Sequence, residues 1–381
     1  MFSFSRENTG LVAKWWRNID KQILFLFVFL LLLGLFFSFS STSSVVGEKM
    51  DKETYFFFIK HLIFVSISLF LLIAISIQEK NKLIKFLFFL FLISIVLLFL
   101  TLVVGVEIKG SKRWVGFDPL PRFQPVELVK PLFIVFVAKI IVLNEKVNVY
   151  RRYLYSFLVL LLIVIVLINQ PDLGQTLLLT SVWITMIFVS GFNMVILLIL
   201  GLAFLSIVAL LIFFFPEKFG YVFSRIQIFI DPKAGDNFQS QKALDAIKLG
   251  GLTGQGMGEG ILKDEVPAAH TDYIIAVISE EFGAIFVLFI VIIFLFISYK
   301  ILNKVFSEKD EFLKLALVGL VSLLIIQTFI HIGVNTRLLP TTGMTLPFLS
   351  YGGSSLIGSS IIAGIILNFT RKDYAGYFKN D

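Results

Sequence analysis

Residues 86–104 read Phe-Leu-Phe-Phe-Leu-Phe-Leu-Ile-Ser-Ile-Val-Leu-Leu-Phe-Leu-Thr-Leu-Val-Val, without one charge. About 20 consecutive apolar residues is the length an α-helix needs to cross a bilayer. Residues 23–37 form a second such run, and further apolar stretches follow, separated by polar turns. Inside hydrocarbon a single segment satisfies its own backbone polar groups only as a helix. The pattern therefore predicts an all-α integral membrane protein. Composition agrees: 57% of the 381 residues are hydrophobic and 15% charged, against about 45–50% and about 25% in a soluble domain. With no cysteine, disulfides, thiolate metal sites and a cysteine nucleophile are excluded. The net charge of +7 lies largely as Lys and Arg in short turns, which is the topological signal of a membrane protein and not a nucleic-acid face.

The apolar stretches predict ten transmembrane helices, at about 23–40, 55–77, 86–106, 126–143, 153–168, 175–190, 194–215, 273–299, 315–335 and 345–369. Residues 1–22 form a basic cytoplasmic arm, with Lys14, Trp15, Trp16 and Arg17 suited to an interfacial anchor. The first span is longer than a signal-peptide core and no Ala-x-Ala site follows, so it is expected to be retained. Residues 370–381 are a cytoplasmic tail. Residues 216–271 form one large extracytoplasmic loop between helices 7 and 8. An even number of spans returns both ends to one side, and every unusual polar motif then falls on the outer face.

The most informative of these motifs covers residues 262–283: a polar loop with Asp264 and Glu265, then Pro267, His270-Thr271-Asp272, and an apolar run that still holds Glu280 and Glu281. Acids at and inside a hydrophobic helix are costly and mark function by default. Asp272 can be a helix N-cap or a general base whose carboxylate, partly desolvated, takes a proton from an incoming hydroxyl. One oxygen can cap while the other reacts. Glu280 and Glu281 are adjacent and cannot share one helix face. At least one needs a buried partner, for which Lys130 is the candidate by depth. Lys130 also stands at i+3 from Glu127 and can pair there instead. Either arrangement suits an ion pair or a pocket for an anionic lipid headgroup.

Elsewhere, Lys112, Arg113 and Trp114 with Arg122 make a basic, aromatic loop suited to an interface or to phosphate. Gln170-Pro171-Asp172 punctuates a helix end. The run at 250–260, Gly-Gly-Leu-Thr-Gly-Gln-Gly-Met-Gly-Glu-Gly, has no preceding strand and no closing Gly-Lys-Ser/Thr, so it is no nucleotide loop. It is expected to be a flexible outer loop after a short amphipathic helix at about 240–249. Ser350 to Ser355 open the last span with small residues that permit close packing and expose amides to an anion.

Together, Ala269-His270-Thr271-Asp272-Tyr273-Ile274 with Glu280-Glu281-Phe282-Gly283, Gln170-Pro171-Asp172-Leu173-Gly174, Arg113-Trp114 before Gln124-Pro125-x-Glu127-x-x-Lys130, and Leu346-Pro347-Phe348-x-Ser350-Tyr351-Gly352-Gly353-Ser354-Ser355 resemble the SEDS family. Its branches are FtsW of cell division and RodA of elongation, and the resemblance spans about residues 100–370. It implies ten transmembrane helices in the bacterial cytoplasmic membrane. It also implies polymerisation of lipid II into glycan strands with undecaprenyl pyrophosphate leaving, in complex with a class B penicillin-binding protein and other divisome proteins. Thr345 and the Ala-His-Thr-Asp context resemble FtsW more than RodA, which points to septal synthesis; an elongation polymerase and a lipid II flippase are the alternatives. The family's essential aspartate falls on Asp272, and a second acid falls on Asp264. The position after Pro267, commonly Glu in the family, is Ala268, so Glu265 gains weight as a helper. The resemblance further implies substrate-binding roles for Lys112, Arg113, Trp114, Glu127, Lys130, Asp172, Arg225, His270, Glu280, Glu281, Ser350 and Ser354. Arg113, Lys112, Lys130 or Arg225 would neutralise the leaving pyrophosphate, with or without a divalent cation (Mg or Mn).

Overall fold

The computed structural model describes residues 10–41, 56–108, 111–116, 121–142, 147–214, 216–231, 235 and 237–372. The outer parts of the predicted arm and tail, and Lys109, Gly110, Pro119 and Lys146, lie outside the described residues. The helices are α1 (Leu11–Asn18), α2 (Lys21–Ser41), α3 (Phe56–Ile77), α4 (Lys80–Val104), α5 (Val126–Ile141), α6 (Val149–Asn169), α7 (Leu173–Val189), α8 (Met194–Phe214), α9 (Pro216–Ile230), α10 (Phe238–Gly250), α11 (Ile274–Ser307), α12 (Glu311–Asn335) and α13 (Gly353–Phe369). Each stretch read as a span contains a helix, but the last begins at Gly353 and not at 345, because residues 345–352 form a turn. Six helices among the described residues (α2, α3, α4, α6, α11 and α12) are long and apolar enough to cross a membrane. The chain is an all-α, multi-pass membrane protein with one small addition.

That addition is a two-stranded antiparallel hairpin, β1 (Val106–Ile108) and β2 (Ser111–Trp114), where only a loop is expected. Its strands are too short for a periodicity to register. The segment 216–271 is also less loop-like than its polarity suggests: α9 and α10 occupy half of it.

Packing sorts the helices. In α3 the buried positions are Phe57, His61, Val65, Ser68, Leu72 and Ser76, one stripe at three- and four-residue spacing. That stripe meets α13, whose small residues allow close approach. A Cβ added at Gly364 would lie 2.8 Å from Ile75, and one at Gly358 would lie 2.7 Å from the Glu127 carbonyl oxygen. α5, α12 and α13 are buried along most of their length and form the centre. Phe70, Phe89, Val96 and Ile165, on α3, α4 and α6, are exposed apolar side chains. An apolar helix with such a face needs either a protein partner or lipid around it.

α11 is not one continuous helix. Gly283 has φ 80° and ψ 172°, a conformation open essentially to glycine alone. It separates a half-helix, residues 274–282, from a long helix, residues 284–307. A break orphans backbone groups on both sides. The glycine run corrects the expectation of a flexible spacer, because it supplies their partners. The amides of Gln255 and Gly256 donate to the carbonyls of Glu280 and Glu281, at 2.8 and 3.0 Å. The amides of Ala284 and Ile285 donate to Gly251 and Leu252, at 3.0 and 3.3 Å. The approach demands glycine: a Cβ at Gly250 would lie 1.9 Å from the Ser279 oxygen.

Candidate active site

Asp272 stands immediately before the half-helix, partly exposed, in a turn whose Ala268 carbonyl gathers three amides, those of Thr271, Asp272 and Tyr273. Ala268 takes a left-handed φ of 58° there. Asp272 does not occupy the cap position. The N-cap is Tyr273, and the side chain accepting a first-turn amide is Asn335 of α12, whose Oδ1 takes Ala276 N–H at 3.2 Å. Asn335 Nδ2 donates to the Asp272 carbonyl at 3.1 Å and to the His331 carbonyl at 2.8 Å. One fully buried amide thus fixes the backbone of the acid against α12. The segment after α12 returns over the same place, and a Cβ on Gly343 would lie 3.8 Å from Asp272 Oδ2.

The cations arrive from two other elements. Ser111 and Arg113 of the hairpin stitch it to the Gln170–Asp172 turn: Ser111 Oγ donates to Gln170 O at 2.6 Å, and Arg113 donates to Gln170 O at 3.1 Å and to Pro171 O at 2.5 Å. Arg113 Nε lies 3.5 Å from Asp172 Oδ2. Asp172 also caps α7 through Gln175 N–H. Burial pushes its carboxyl pKa up while Arg113 pulls it back. Arg225 of α9 donates to Thr341 O at 3.2 Å and stands within electrostatic reach of Arg113, Asp172, Tyr221 and Tyr273. Burial, then the like charge of Arg113, lowers its pKa. Burial, then the Asp272 carboxylate, pushes the Tyr273 hydroxyl up to about 12, against the pull of Arg225. The mouth therefore joins a carboxylate to two crowded guanidiniums, an arrangement that an incoming phosphate would relieve.

The other candidates have structural partners. Glu280 and Glu281 do not meet Lys130. Glu280 Oε1 accepts Leu262 N–H at 2.7 Å, and Glu281 Oε1 accepts Lys263 Nζ at 2.5 Å and Gly258 N–H at 3.2 Å. They lash residues 258–263 to the break, because the docked glycine run brings Lys263 closer than α5 comes. Lys130 pairs with Glu127 at 2.9 Å and donates to Gln327 at 3.2 Å, inside the bundle, with Gln175 donating to Glu127. Ser350 Oγ donates to Thr271 O at 2.7 Å and accepts Leu346 N–H, and Ser354 Oγ accepts Gln124 N–H at 3.0 Å. Both hydroxyls hold loops together. The His270 ring packs 5.6 Å from Phe57 and 5.5 Å from Tyr351, and burial lowers its pKa. Glu265 pairs with Lys242 of α10. The Asp264 side chain lies outside the described residues, Lys112 is exposed, and Trp114 is half-buried in β2. No group of three or more His, Asp or Glu able to hold a metal occurs among the described residues. They do not build a protein-made site for a divalent cation.

Two functional supports escape a reading of the sequence. Asn335 offers a signal in retrospect, an amide at the end of an apolar run. Lys263 offers only a charge opposite to its neighbours.

The cell cycle protein family model that groups FtsW, RodA and SpoVE matches residues 21–375. A Caulobacter vibrioides protein named "Probable peptidoglycan glycosyltransferase FtsW" is 36% identical over 72% of this chain and 69% of its own length. The stage V sporulation protein E of Bacillus subtilis is 36% identical over 70% of this chain and 74% of its own length. A chain of a peptidoglycan synthase complex superposes with a TM-score of 0.75 at 24% identity, covering 95% of this chain and 99% of that one. The crystal structure of the rod shape determining protein RodA of Thermus thermophilus gives 0.68 at 25% identity, covering 93% and 97%. With a family model matched along nearly its whole length and relatives of this identity, the chain belongs to the FtsW/RodA/SpoVE family of cell cycle proteins.

Proposed function

We propose that this chain is a peptidoglycan glycosyltransferase that polymerises lipid II at the outer face of the bacterial cytoplasmic membrane, in septal synthesis. The observation that carries the reading is a set of neighbours from distant parts of the chain: Asp272 and Arg225 both act on Tyr273, Arg225 is in electrostatic reach of Arg113, and Arg225 holds Thr341 two residues before Gly343, which lies beside Asp272 Oδ2. The names of the relatives support the activity, and the likeness to a chain of a peptidoglycan synthase complex supports a penicillin-binding partner. The full set of ten spans, and the exterior placement of this end, belong to the proposal.

Asp272 acts as general base on the 4-hydroxyl of the acceptor sugar. The freed oxygen attacks the anomeric carbon of the donor sugar, that carbon's bond to the diphosphate oxygen breaks, and undecaprenyl pyrophosphate leaves with the pair of electrons. One displacement inverts the anomeric centre. Arg113 and Arg225 stabilise the charge that develops on the leaving diphosphate, and fixed donors do this best in a water-poor site. The polyprenyl tails lie against apolar helix faces.

The test is polymerisation of labelled lipid II in detergent by the purified chain with its penicillin-binding partner. Wild type should make glycan strands and Asp272→Ala should not. An Asp272→Ala protein that polymerises as well as wild type removes the base. A wild type that moves lipid II across vesicles and never polymerises it makes the chain a flippase.

A further inference from the structure

A cavity of about 220 Å³ lies between α9, the start of α10 and the turn after α12. Arg225 and Arg337 line it, with Asn237, Ser240 and Thr341, and no carboxylate lines it among the described residues. Arg225 is anchored through Thr341 O, and Arg337 through Gln241 Oε1 at 2.7 Å. A guanidinium carries five N–H donors in a rigid fork, so one anchoring bond leaves donors for a ligand on each. Two cations on one recess, with Asp172 the one carboxylate in electrostatic reach of Arg225 among the described residues, favour an anion there. One further feature agrees. α10 begins there without a side-chain cap hydrogen bond from Asn237, which leaves first-turn amides and the positive end of the helix dipole available. Arg337 has a φ of 57° at the left-handed position that ends α12, where Leu338 N–H returns to Gly333 O at 2.7 Å, and this cap fixes the direction in which the chain carries Arg337 away from the helix.

We propose that this cavity is a second phosphate-class anion site, which seats the diphosphate of a second polyprenyl-linked sugar while the Arg113 side of the mouth holds the first. The inference rests on the glycosyltransferase reading and deepens it. Joining two lipid-linked sugars brings two diphosphates to one mouth, and one cluster of cations cannot neutralise both. Arg225 stands between the two places, since it lines the cavity and is also coupled to Arg113 and Asp172. The volume is below the roughly 300–1,000 Å³ of sites that enclose a drug-sized ligand. It suits a diphosphate and the beginning of its sugar, with the remainder outside.

The experiment uses the full chain with its penicillin-binding partner in detergent. Binding of inorganic pyrophosphate and of undecaprenyl pyrophosphate is measured beside the melting temperature and the lipid II kinetics. R337G removes the guanidinium and also the strained φ. It should melt no lower than wild type, bind both diphosphates about tenfold or more weakly, as expected for lost charge-assisted hydrogen bonds, and raise KM for lipid II with kcat near wild type. R337K should recover part of the affinity. Unchanged diphosphate binding in R337G overturns the site. Weaker binding of pyrophosphate alone makes it a site for free anions and overturns the lipid-linked assignment. If R337G weakens binding as expected but wild type polymerises nothing, the anion site stands and the glycosyltransferase reading fails.

Discussion

Asp272 stands at one end of the half-helix at residues 274–282, and Glu280 and Glu281 stand at the other. The first is partly exposed, with its backbone pinned by Asn335 and two guanidiniums in reach of the mouth. The second pair is buried, and its carboxylates hold Lys263 and the amides of Gly258 and Leu262. Identical chemistry thus serves two ends. A carboxylate held by a buried cation and an amide, as at Glu281, is scaffold. One partly exposed at the mouth, with its backbone secured, is the candidate for proton transfer.

The sharpest way to break this contrast is to neutralise each end in turn. Asp272→Asn should reduce lipid II polymerisation by about 10²-fold or more, the usual scale of general-base catalysis, with little change in melting temperature. Glu281→Gln should do the reverse, lowering the melting temperature while the folded fraction still polymerises. Equal losses of activity per folded molecule would erase the distinction. Next, Lys263→Met leaves Glu281 buried without its cation. Breaking one side of such a pair costs about 3–5 kcal/mol, measured by thermal or denaturant unfolding in detergent. The double change Lys263→Met with Glu281→Met should restore most of that loss. Gly283→Ala is third: an added Cβ would lie 2.2 Å from the Leu252 oxygen, and the backbone strain alone is about 1–3 kcal/mol. Limited proteolysis within residues 250–260 should rise as the run undocks.

The smallest effect concerns His270. Burial holds its pKa below the ordinary value of about 6.5. As pH falls below that value the unfolded chain takes the proton first, so the folded state loses stability with acidification and none of this penalty exists above it. His270→Phe, which keeps the aromatic packing, should flatten the decline of melting temperature below pH 6.5.

The helices were legible because long charge-free runs leave few alternatives; the acids of 262–283 were conspicuous beside such a run, but only the resemblance singled out Asp272 among the five. The break at Gly283 was not legible. A glycine in an apolar stretch reads equally as a packing residue, and only the distant run at 250–256 reveals that the ladder is interrupted. The same docking hid the partner of Glu281: depth along the helices favoured Lys130, but Lys130 is saturated by Glu127 and Gln327. The role of Asn335 depends on α12 ending beside the start of α11, a tertiary fact without a local signature. Arg225 was a candidate through the resemblance alone, and it is α9 that brings it within electrostatic reach of Arg113 in the hairpin.

The interruption at Gly283 divides one ladder of amides into two cooperative units. The half-helix at 274–282 is held at its start by Asn335 and at its end by the glycine run, on which the amides of Ala284 and Ile285 also lean, whereas the amides beyond them belong to the long helix. Hydrogen exchange should therefore release the first group together, at a lower free energy than the second, so the exchange of nine residues reports the integrity of the catalytic mouth while the surrounding bundle remains protected.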